Sequence, residues 1–120
     1  MNTIKTFEDA CKAIGVSPDS VPDLSALPEA DNKAMTAFYK LRIIAQALNE
    51  GWKPDWKDYS DYKWQPWFDE KEPGSGLSFF GADDWHSTTY VGSRLCFKSK
   101  ELCKYAATQF ADLYGDFMNN

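Results

Sequence analysis

The stretch from Glu29 to Gly51, EADNKAMTAFYKLRIIAQALNEG, constrains the fold more than any other part of the chain. Ala34, Phe38, Leu41, Ala45 and Leu48 recur at three- and four-residue steps, and Ala37 and Ile44 widen the same stripe. That spacing lays apolar side chains along one face of an α-helix. Met35, Tyr39 and Ile43 carry the apolar surface sideways, so the helix is expected to have packed neighbours on more than one side. Gly51 is a natural stop, because glycine accepts the backbone that ends helices. A helix this long and this apolar is a spine that the rest of the chain must cover.

The flanking segments read as that cover. Thr6 can cap a short opening helix over FEDACKAI, with Glu8 and Asp9 favouring its positive end and Gly15 ending it. VSPDSVPDLSALP is a connecting loop, with one possible helical turn at DLSAL, pinned by Val21, Leu24 and Leu27. Beyond the spine, Pro54 and scattered aspartates oppose helix, so Trp52 to Ser60 reads as an ordered loop with its indoles folded back on the helix end. Alternation then sets in: Tyr62, Trp64, Pro66 and Phe68 share one face of a strand, Lys63, Gln65 and Asp69 the other. Pro66 removes a ladder donor, which marks an edge or bulged strand. EKEPGSG reads as a turn, LSFF (77–80) as a second strand, GADDWHS as another turn and TTYVGSRLCF (88–97) as a third strand. Ser99 caps one final helix, KELCKYAATQFADLYGDFM, on the stripe Leu102, Ala106, Phe110, Leu113 and Phe117. The expectation is a single α+β domain over 1–120, a three-stranded antiparallel sheet packed on one face against the long central helix and the C-terminal helix, plus the short N-terminal helix.

Charge is unevenly placed. Residues 50 to 84 hold nine acids and four lysines, and this segment alone accounts for the net charge of -5. The same segment holds Trp52, Trp56, Trp64 and Trp67, with Trp85 next to it. No stripe of Lys and Arg is visible, which disfavours direct nucleic-acid binding. No apolar run approaches the about 20 residues that cross a bilayer, and MNTIKTFEDACK lacks a basic region followed by a hydrophobic one, so neither export nor membrane insertion is indicated. Cys11, Cys96 and Cys103, odd in number and widely spaced, suit free buried thiols in a reducing compartment.

No catalytic or cofactor signature is legible. Asp83, Asp84 and His86 form DDWH, chemically able to do acid-base work or hold a metal, but three polar residues on a turn are more often simply solvated. Asp55, Asp58 and Asp61 recur at three-residue steps without the order of a calcium loop. Gly74, Ser75 and Gly76 fit a turn better than a phosphate cradle. No metal ligands, cofactor or catalytic residues are therefore assigned. The candidate binding residues are Trp52, Trp56, Asp58, Trp64, Trp67, Asp83, Asp84 and Trp85. Indoles beside carboxylates can anchor a protein interface or stack on a sugar ring, or they can merely cover a small sheet.

Two pieces, FYKLRIIAQALNEGWKPDW (38–56) and VGSRLCFKSKELCKYAATQFADLY (91–114), about a third of the chain, resemble small proteins from phages and prophages of Bacteroides-type gut bacteria. The resemblance implies a phage-linked origin and carries over no catalytic residues. Together with the charge map it leads to the expectation of a non-enzymatic phage-associated accessory or virion component, in the host cytoplasm or on the virion, acting through a protein partner on the acidic, tryptophan-rich segment. The alternatives are a carbohydrate-binding or carbohydrate-cleaving domain using the same indoles, and an acidic inhibitor of a basic host protein.

Overall fold

A capping box opens the first helix. The Thr6 hydroxyl accepts the Asp9 N–H at 3.1 Å, and the Asp9 carboxylate accepts the Thr6 N–H at 3.2 Å and that of Lys5 at 3.0 Å. Those bonds satisfy amides that a helix start leaves unpaired. The helix, α1 (Phe7–Ile14), ends where Gly15 takes a φ of 73°. In the computed structural model, which describes residues 3–55, 57, 62–69, 78–85 and 93–119, the remaining elements follow in chain order. They are a 3-10 turn at Pro18–Ser20, α2 (Glu29–Leu48), β1 (Lys63–Asp69), β2 (Ser78–Trp85), a 3-10 turn at Ser93–Leu95, α3 (Lys100–Gln109) and α4 (Ala111–Asn119).

The spine is α2. Leu41, Ile43, Ile44 and Leu48 are almost wholly excluded from solvent, as are Ala37, Ala45 and Ala47. Each of the larger side chains gains roughly 1.5–3 kcal/mol by that burial. Neighbours do stand on several sides: α1, α3 and α4 all pack on α2. Phe38 meets Phe117 of α4 with ring centroids 5.5 Å apart, and Lys33 pairs with Asp116 at 3.5 Å. Met35, at the sideways edge of the stripe, is instead exposed. The helix stops at Leu48, three residues before the expected glycine. Asn49 is the cap, and Glu50 rather than glycine takes the first left-handed position, at φ 52°, followed by Gly51 at 87°. A residue with a Cβ in that region costs about 1–2 kcal/mol.

The sheet corrects the expectation. Among the described residues two strands, β1 and β2, pair antiparallel, and the fold is helix-dominated α+β rather than the expected three-stranded sheet with helices. β1 lies where alternation placed it, but β2 runs on through GADDW, the segment read as a turn. Pairing with the whole length of β1, from Lys63↔Trp85 to Asp69↔Ser78, overrides the poor strand propensity of Gly81, Asp83 and Asp84. The register slips between Trp67↔Gly81 and Phe68↔Phe79, leaving residue 80 as the extra one of a bulge beside the glycine.

Of the expected third strand, residues 88–92 and the turn at 70–77 lie outside the described residues. Residues 93–95 form the second 3-10 turn, and Phe97 makes a single antiparallel bridge. That bridge joins β1, not β2: the Trp64 N–H donates to the Phe97 carbonyl at 3.0 Å and the Phe97 N–H to the Trp64 carbonyl at 2.8 Å. Main-chain groups alternate edges along a strand, so the next β1 residue aimed at this edge is Pro66, which has no N–H to give. The ladder cannot be continued there.

The final helix is two helices. At Phe110 the backbone turns to φ -113°, ψ 32°. Just before it, the Thr108 hydroxyl bonds back to the carbonyls of Lys104 and Tyr105, a habit that bends helices. The break lets α3 lie on the two strands while α4 lies along α2, directions that one straight rod could not serve. It also overturns the expectation that the central helix and one long C-terminal helix would share a sheet face, since the sheet packs chiefly on α3.

Candidate functional site

Of the eight candidate binding residues, five fall on the β1–β2 hairpin. The register sets Trp64 opposite Asp84, Trp67 opposite Gly81, Asp83 opposite Gln65 and Trp85 opposite Lys63. Trp52 stands apart in the loop after α2, where its N–H donates to the Asn49 carbonyl at 3.0 Å, and its side chain is half-buried. Trp56 and Asp58 lie outside the described residues, as does His86, so DDWH is represented by the β2 backbone alone. Trp64 is also half-buried, packed against the core from the head of β1.

Beside Trp64 stands a residue that the charge map did not single out. Tyr62 is 47% exposed and its ring lies 6.5 Å from the Trp64 indole at a tilt of 58°. Strand alternation put the two on one face, and the exposure of Tyr62 shows where that face runs out of core. Together they form a partly open aromatic pair.

Lys63 reverses its expected role. Alternation assigned it, with Gln65 and Asp69, to the polar face of β1, yet it is fully buried, and its ammonium donates to the Asp55 carbonyl at 2.6 Å. Bringing an ammonium out of water is unfavourable unless it gains hydrogen bonds. The loop after α2 supplies that acceptor through the Asp55 carbonyl. Lys63 is thus a tie between loop and sheet, next to the half-buried Trp64.

Asn49 is the other residue that sequence reasoning passed over. Buried at the end of α2, it donates through Nδ2 to the Cys96 carbonyl and accepts the Lys98 N–H at Oδ1, both at 3.0 Å. An asparagine just past an amphipathic run signals a helix end; its pairing with a segment 47 residues away does not show in sequence.

The thiols are structural. Cys11, Cys96 and Cys103 are free and buried. Burial pushes the Cys11 thiol up and the Cys103 thiol up to about 12, far from the thiolate that nucleophilic chemistry needs. Among the described residues no group of three or more His, Cys, Asp or Glu side chains could hold a metal ion, and no helix is long and apolar enough to cross a membrane.

A separate concavity of about 960 Å³ opens between the N-terminal segment, α1 and the end of α2. Ile4, Ile14 and Leu48 supply apolar lining, and Asp9, Lys12 and Glu50 supply charge. One wall is anchored on α3, where the Tyr105 hydroxyl donates to the Ile4 carbonyl at 2.6 Å and the Gln109 amide to the Lys5 carbonyl at 2.9 Å. The chain matches no family model, no curated protein and no solved structure.

Proposed function

We propose that this is a non-enzymatic accessory or virion component of phage origin, in the host cytoplasm or on the virion, that works by holding a protein partner against the head of β1. The observation that carries the reading is the Tyr62–Trp64 pair, aromatic and partly exposed, on a strand braced by buried Lys63 and within the segment that bears the net charge of -5. Tyr and Trp anchor interfaces because they bury much area with few rotatable bonds to freeze. The tilt of 58° between the rings favours an interlocking protein contact over the flat platform on which a sugar ring stacks.

The test is a photo-crosslinking side chain at position 62, in cells carrying the phage genome, with the same group at exposed Lys104 of α3 as control. A discrete protein adduct at 62 that is absent at 104 is the expected result. Equal adducts at both positions, or none, would overturn the proposal.

A further inference from the structure

Glu50 breaks two local rules at once. Its φ of 52° puts a side-chain-bearing residue in the left-handed region. It also sets a carboxylate beyond the C-terminus of α2, the negative end of that helix's dipole, and α2 has no basic residue in its last turn to offset either. The contrast with α1 is direct. There Lys12 stands in the last turn, and the Asp9 carboxyl is held below its ordinary range first by the Lys5 N–H, with the Lys12 charge adding to it. For Glu50 the compensation is an ion pair with Lys98 at 3.5 Å, in which the Glu50 side chain is 77% exposed. Water screens a pair that open, so it does little to repay the residue's placement. Local rules are given up chiefly where a site requires it, and Glu50 stands on the lining of the concavity between α1 and α2.

We propose that this groove docks a basic, partly aliphatic segment of a partner protein, with a Lys or Arg side chain paired to Glu50 and an aliphatic neighbour on the half-buried Ile14. Charge complementarity selects the occupant. The last turns of α1 and α2 line the space through Ala13, Ile14, Ala47 and Leu48, and each helix end carries partial negative charge. Asp9 and Glu50 add two carboxylates. Among the lining residues the cation is Lys12, in the last turn of α1, and those on the α2 side, Gln46, Ala47, Leu48, Glu50 and Gly51, carry one carboxylate and no cation. A space of about 960 Å³ lies within the range of sites that enclose several side chains or a small ligand. The groove is lined by none of the residues of the Tyr62–Trp64 surface and does not depend on the reading of that surface.

The measurement is a titration of isotope-labelled protein, followed by amide resonances, with a short acetylated peptide of alternating leucine and arginine and, as control, its leucine–glutamate counterpart. The basic peptide is expected to shift Ala13, Ile14, Ala47, Leu48 and Gly51, and the acidic one to leave them in place. Glu50→Gln keeps the size of the side chain and is expected to weaken binding about tenfold, the loss of one charge-assisted contact. Glu50→Gly relieves the backbone, and so raises the melting temperature, yet is expected to weaken binding at least as much. The proposal is overturned if the groove resonances do not move, if shifts are confined to the 52–85 segment, or if both Glu50 variants bind the peptide as the unaltered protein does.

Discussion

At Glu50 and Tyr114 a single side chain sits where its own chemistry works against it. Replacing Glu50 by glycine removes the Cβ that makes a φ of 52° costly, and the expected gain in stability is about 1 kcal/mol, read as a higher urea midpoint at unchanged slope. Tyr114 is 3% exposed, with its ring 4.9 Å from that of Phe68, and its hydroxyl has no hydrogen-bond partner among the described residues. Tyr114→Phe keeps the ring and discards a desolvated O–H, so it too is expected to stabilise, by about 1 kcal/mol. A lowered urea midpoint instead would show that the hydroxyl is bonded. Neither position was legible beforehand. Tyr114 is absent from the apolar stripe drawn for the last helix, yet it lies four residues after buried Phe110 on the face that Cys103 and Ala107 also bury.

Between elements, junctions set the architecture. Asn49 ties the end of α2 to the Cys96–Lys98 segment through both ends of its amide, and Asn49→Ala removes the donor to the Cys96 carbonyl and the acceptor of the Lys98 N–H. The expected cost is about 2–3 kcal/mol, from two hydrogen bonds lost in a site that water enters poorly, and a denaturant titration reads it. Loss of protection at the Lys98 amide in hydrogen exchange would accompany it. Pro66 does the opposite kind of work: by withholding a donor it stops the sheet from growing past the Phe97 bridge and blunts that edge of β1 against other strands. The third strand anticipated over TTYVGSRLCF gives only the Phe97 bridge among its described residues for the same reason, whereas residues 78–80 of LSFF do belong to β2. Strand propensity is a property of a segment, whereas a ladder needs a partner edge able to accept it.

For the molecule as a whole, the buried acids that stay neutral determine its response to alkali. Burial pushes the thiols of Cys11 and Cys103 and the phenol of Tyr114 up, and that of Tyr105 likewise, so each keeps its proton in the folded state beyond the pH at which the unfolded chain gives it up. The unfolded state then binds fewer protons, and stability must fall as pH rises. For Cys103 the window runs from about pH 9 to about pH 12. Unfolding free energy is expected to be flat in these groups below pH 8 and to decline steeply above 9. Cys103→Ala should flatten that decline by up to one proton's worth, measured by urea titrations across the range.

The sequence by itself determined the helices that have an uninterrupted reason to form: α1 from its Thr6–Asp9 box and Gly15, α2 from its apolar stripe, and the start of α3 from Ser99, whose hydroxyl accepts the Leu102 N–H at 3.2 Å. It also placed β1, since period-two alternation is a local pattern, and it placed all three cysteines in the core. Only the tertiary structure decided the extent of β2, the lone bridge at Phe97 among the described residues of the expected third strand, the division of the last helix at Phe110 and the burial of Lys63. In each of these the deciding partner lies far along the chain or on another element: β1 for the aspartates of β2, the Asp55 carbonyl for Lys63, α2 and the sheet pulling α3 and α4 in different directions. Local patterns report what a segment can do. Which of its options it takes depends on the free energy of contacts that no window of sequence contains.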